Sequence, residues 1–110
     1  MQTAPPLKQK LVRAGASLYT TLKLLLDQIP EGTQGPQRLG VALGLDKVLA
    51  HRILKALRED RPLSVLHHAP GPDPLRRFVR AAKKSGAKPA DVKAALLAID
   101  HFQRILREDI

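Results

Sequence analysis

Apolar residues recur every three or four positions along most of the chain, a spacing that gathers side chains on one face of a helix. Leu7, Leu11, Ala14, Leu18, Leu22, Leu25 and Ile29 form the first such stripe, between Pro6 and Pro30. It predicts a helix across that interval. Gly15 weakens the early half, because an interior glycine costs a helix about 1 kcal/mol relative to alanine. Residues 30–35 then read as a turn. A second helix opens at Pro36, since proline suits a first helical turn, and closes at Gly44. Asp46 can cap a third helix by accepting from its free backbone N–H groups. That helix carries Leu49, Ile53, Ala56 and Leu57 on one side and fades near Glu59 and Asp60. Residues 63–68 read either as a short helix started by Pro62 or as the first strand of a hairpin. Pro70, Pro72 and Pro74 make a stiff corner. A further helix is expected from about Leu75 to Ser85. The last begins at Pro89 and runs toward Glu108, with Val92, Leu96, Ile99, Phe102 and Leu106 on one face. That stripe either closes the monomer core or pairs with a second copy. The order is all-α, with short connections.

The segment 36–55 meets the requirements of a helix-turn-helix unit. Such a unit needs two short helices and a turn residue at ease with positive φ, which Gly44 is. Leu45 follows as an apolar plug. Leu39 and Leu43 face Leu49 and Ile53, and Gly40 is small where the two helices approach.

The stretch Leu39-Gly40-Val41-Ala42-Leu43-Gly44-Leu45-Asp46-Lys47-Val48-Leu49-Ala50-His51-Arg52-Ile53-Leu54-Lys55-Ala56-Leu57 resembles the helix-turn-helix of bacterial transcriptional regulators. The nearest type is the IclR winged-helix DNA-binding head, whose first helix residues 18–29 resemble. The resemblance covers about 17–61. It implies a three-helix core, to which the periodicity further along adds C-terminal helices. It also implies a wing, yet 62–74 holds four prolines and no pair of alternating strands. The wing is therefore expected to be absent or very short. The family's larger effector domain has no counterpart here, so the chain is either a piece of a longer regulator or a smaller kind. The expected organisation is an arm or helix extension over 1–16, the helix-turn-helix core over 17–61, a proline-rich connector over 62–74 and a helical pair over 75–110.

Charge points to the same partner. Nineteen Lys and Arg against ten Asp and Glu leave a net charge of +9, which suits a polyanion. The only aromatics are Tyr19, Phe78 and Phe102, too few for the base-stacking platforms of single-strand binders. Double-stranded DNA is thus favoured. On a recognition helix over about 46–59, the positions not used for packing are Asp46, Lys47, Val48, His51, Arg52 and Lys55. Arg52 and Lys47 suit guanine or phosphate, and His51 can donate to a base or phosphate. Lys55, one turn later, suits phosphate, and Asp46 is a cap before it is a base reader. The competing expectations are an ion pair of Arg52 with Glu59 and an idle surface role for His51.

The segment from Leu75 to Lys88 carries Arg76, Arg77, Arg80, Lys83, Lys84 and Lys88 with no acid among them. The helical period places 76, 80, 83, 84 and 87 on one side, with Leu75, Phe78, Val79 and Ala82 on the other. This basic face either clamps the DNA backbone, chiefly through Arg76, Arg77 and Arg80, grips an acidic partner, or is simply solvated. Lys8, Lys10 and Arg13 read as an arm reaching DNA or as an unordered terminus.

Other chemistry finds little support. No cysteine is present, which excludes disulfides and thiolate metal sites. His67 and His68 lack the spacing of a metal pair. No nucleophile elbow or phosphate-cradling glycine loop occurs. No cofactor is expected, and the chain reads as a non-enzyme. No apolar run approaches the roughly 20 residues that span a bilayer, and no secretion signal opens the chain. A cytoplasmic, dimeric regulator is the expectation, acting alone or with another protein. The alternatives are a helix-turn-helix adaptor that grips an acidic protein and a sequence-neutral nucleic-acid binder.

Overall fold

Proline opens four of the six helices among the described residues, at the first-turn positions where its missing N–H costs nothing. A computed structural model describes residues 6–30 and 35–110. Its elements are α1 (Leu7–Asp27), α2 (Pro36–Leu43), α3 (Lys47–Ala56), α4 (Pro62–His68), α5 (Pro72–Lys84) and α6 (Pro89–Asp109). No strand occurs among these residues, so the fold is all-α and lacks a wing there. The expected turn over 30–35 falls largely on residues 31–34, outside the described residues, as do residues 1–5 of the expected arm.

Three points of local structure are now fixed. Residues 62–74 hold helix α4 and the start of α5. Pro62 starts α4, and the Val65 amide donates to the Arg61 carbonyl at 3.0 Å, so 63–68 is helix. Helix α5 begins at Pro72 rather than near Leu75, because the Leu75 amide already donates to the Gly71 carbonyl at 3.0 Å. Gly15 does not interrupt α1, which runs unbroken from Leu7 to Asp27. Lys8, Lys10 and Arg13 therefore stand on an ordered helix, not an arm.

Helices α1 and α6 lie antiparallel and are tied at both ends. Lys10 Nζ meets Asp109 Oδ1 at 3.3 Å. At the opposite end Gln28 Oε1 accepts from the Lys88 amide at 2.7 Å, and Gln28 Nε2 donates to Asp91 Oδ2 at 2.7 Å. Gln28 thereby caps α6 from another helix, satisfying a donor that a helix start leaves free.

One core joins α1, α2, α3, α5 and α6. Phe78 is its largest fully buried side chain, alongside Leu18, Leu25, Leu39, Ile53 and Ile99. The apolar face of 17–61 shares this core with α5 and α6. The α6 stripe closes this core. Val92, Ile99 and Phe102 are buried, while Leu97 stands on the outer face, 60 % exposed. Short α4 wedges between α1 and α3, packing against both. Gly15 makes that crossing possible: a β-carbon there would lie 2.2 Å from the Pro62 carbonyl oxygen.

Candidate nucleic-acid interface

The turn between α2 and α3 is set by two glycines. Gly44 adopts φ 66° and ψ 31°, the left-handed conformation that a β-carbon disfavours. Its amide donates to the Val41 carbonyl at 3.4 Å, and the Leu45 amide donates to the Gly40 carbonyl at 2.9 Å. This paired closure ends α2 within one residue. Gly40 leaves room for it, because a β-carbon at 40 would lie 2.8 Å from the Leu45 carbonyl oxygen. Asp46 then starts α3 as expected: its Oδ1 accepts from the Leu49 amide at 2.8 Å. The carboxylate is thereby committed to the helix end.

Helix α3 buries Leu49, Ala50, Ile53, Leu54 and Ala56. The opposite face presents Lys47, Val48, His51, Arg52 and Lys55, all exposed. Lys47, His51 and Lys55 form one row at four-residue spacing, with Val48 and Arg52 in the next. The five expected α3 contact residues therefore share one surface, which carries no acid. Val48 is 69 % exposed, and Val41, just before the turn, is 79 % exposed. The expected alternative for Arg52, an ion pair with Glu59, does not form. Glu59 Oε1 instead meets His68 Nε2 at 3.1 Å. No group of three His, Asp or Glu able to hold a metal occurs among the described residues, and His67 packs edge-on against His68 at 4.9 Å.

Helix α5 divides its cations between two directions, and here the expected basic face needs correcting. Arg76 is withdrawn from the surface, with its side chain only 18 % exposed. Its Nη2 donates to Asp100 Oδ1 at 2.8 Å and to Gln103 Oε1, and its Nη1 donates to Asp73 Oδ1 at 3.1 Å. The hydrogen bond that Arg76 donates to Asp100 raises its pKa above the ordinary arginine value, against the opposing effect of partial burial, with Asp73 adding to the rise. Arg76 is an α5–α6 tie, because these carboxylates neutralise it before any partner can. Ala87 also leaves the expected face: it lies beyond the end of α5 and is buried.

Arg77 and Arg80 stay exposed, as do Lys83 and Lys84. Arg77, Arg80 and Lys84 line an open cleft of about 400 Å³ between α5 and the α2–α3 turn. Ala42, Leu43, Gly44 and Leu45 form its other wall, and Ala81 and Ser85 complete it. Lys84 was expected on the basic face but not among its chief contacts, and the turn residues were not singled out as contacts. Part of the signal is legible in sequence: 77, 80, 81 and 84 share a helical stripe. That the turn stands opposite this stripe is not, because it depends on how α2 packs against α5. No known protein family, curated protein or solved structure matches this chain.

Proposed function

We propose that this protein binds double-stranded DNA sequence-specifically through α3 and acts as a transcriptional regulator. The observation that carries the reading is the outer face of α3. It presents Lys47, Arg52 and Lys55 without an ion-pair partner among the described residues, next to His51 and an exposed Val48. A ten-residue helix spans about 15 Å and fits a major groove about 12 Å wide. Arg52 and Lys47 suit the O6 and N7 acceptors of guanine, and Val48 suits the methyl group of thymine. Solvated arginine and lysine are the groups such recognition needs, since cations already paired within the fold have little left to offer a phosphate. Lys55, further along the helix, suits the backbone. Two copies on half-sites about 34 Å apart would match a palindromic operator.

The test is a fluorescence-anisotropy titration against a random pool of short duplexes at about 50 and 200 mM salt, with the bound fraction sequenced. Tight binding that enriches one motif is the expected result, and a palindrome would add the dimer. Arg52→Ala should cost about 1–3 kcal/mol and relax preference at one base position. Salt-sensitive binding without a motif identifies a sequence-neutral binder. No saturable binding at either salt overturns the reading and leaves the adaptor.

A further inference from the structure

We propose that the cleft between α5 and the α2–α3 turn seats the sugar-phosphate strand flanking the groove that α3 reads. Three α5 cations, Arg77, Arg80 and Lys84, would make the phosphate contacts, and Arg76 and Lys83 would make none. This rests on the DNA reading above.

Position supports it first. The turn that forms one wall of the cleft leads directly into α3, through Leu45 and Asp46. A strand lying there is next to whatever α3 touches. Chemistry supports it second. The cleft lining has three cations, the Ser85 hydroxyl and no acid, while Ala42, Leu43, Leu45 and Ala81 supply apolar surface. Phosphate with an attached sugar matches that combination of charge and apolar surface.

Exposure favours a polymer over a small anion. All three cations are solvated, so an isolated phosphate would gain little from them in physiological salt. A duplex gains from the same contacts by releasing condensed counterions with each phosphate neutralised. The fold also dictates which charges take part. Arg76 is held by Asp100 and Asp73 on the α6 side, and Lys83 is exposed but does not line the cleft. In effect α5 supplies the backbone contact that a wing would otherwise make.

The test compares salt dependence among variants of the whole chain on the enriched duplex. Each lost phosphate contact lowers the slope of log K against log salt by about 0.9. Loss of all three in Arg77→Ala/Arg80→Ala/Lys84→Ala lowers it by about 2.7. Between 50 and 200 mM salt the wild type should then lose about 40-fold more affinity than the triple variant. Lys84→Gln alone should lower the slope by about 0.9, while Lys83→Ala should leave it unchanged. The enriched motif should be the same for all of these and altered only by Arg52→Ala. Far-UV circular dichroism and thermal melts confirm that each variant is folded. A wild type that binds with the expected motif while the triple variant keeps its slope overturns the cleft alone. So does a Lys83→Ala effect as large as that of Lys84→Gln, since a diffuse field would then explain both. A wild type that does not bind duplex overturns the DNA reading and this inference together.

Discussion

Replacing Gly15 with alanine sets two physical effects against each other. Intrinsic propensity favours alanine within a helix by about 1 kcal/mol. The α1–α4 crossing opposes it. The new β-carbon would lie 2.2 Å from the Pro62 carbonyl oxygen and 2.7 Å from its carbon. Ordinary contact begins near 3.4 Å, so the seam must open by about 1.2 Å against backbone. Backbone cannot swing aside as a side chain can, and Gly15 is itself buried. Overpacking of this kind costs about 3 kcal/mol at the upper end of its usual range. The net expectation for Gly15→Ala is a loss of about 2 kcal/mol, or about 8 °C in Tm for a domain of this size. Urea and thermal unfolding followed at 222 nm would measure it. Ala94→Gly, on an exposed stretch of α6, calibrates the propensity scale and should cost about 1 kcal/mol. A Gly15→Ala protein as stable as the wild type, or more stable, would refute the close crossing. If the proposed DNA reading holds, duplex affinity falls as well, because α4 packs against both α1 and α3.

Four further outcomes are expected. Asp46→Ala removes the acceptor for the Leu49 amide and should cost about 1 kcal/mol by urea unfolding. Gly44→Ala forces a β-carbon into left-handed backbone and should cost about 1–2 kcal/mol, with Gly44→Asn costing less. Phe78→Ala empties a fully buried site and should cost about 3–5 kcal/mol, enough to show as a large fall in Tm. Arg76→Ala should cost about 1 kcal/mol, because its partners Asp100 and Asp73 are largely solvated. Its raised pKa keeps Arg76 charged well past neutrality. Its stabilisation is present below arginine's ordinary pKa and is lost only as pH climbs through the raised folded value, so unfolding at about pH 6 and pH 9 should show the same cost.

Much of this architecture was legible along the chain because its signals are local. The helix starts at Pro36 and Pro89 follow from the fixed φ of proline, and Gly44 marks the turn because positive φ suits glycine. The period of three and four marked the buried side of α3, and therefore also its exposed side with Lys47, Val48, His51, Arg52 and Lys55. The Asp46 cap needs only its own next turn.

Tertiary structure decided whatever depends on a neighbour distant in sequence. Gly15 reads as a weak point in a helix until Pro62 is set against it, 47 positions away, and then it is the residue that lets α4 dock. Arg76 and Arg77 are adjacent, alike in chemistry and indistinguishable by composition. A helix turns about 100° per residue, which aims one at Asp100 on α6 and leaves the other on the cleft facing the α2–α3 turn. Residues 63–68 could not choose between helix and strand on propensity alone. Pro62 at a first-turn position and a buried Val65 against α1 resolved them as helix. The sequence by itself determined which residues lie on which side of each helix, because that is set by backbone periodicity. Which sides meet, and hence which cations remain for a partner, was set by packing into a single core.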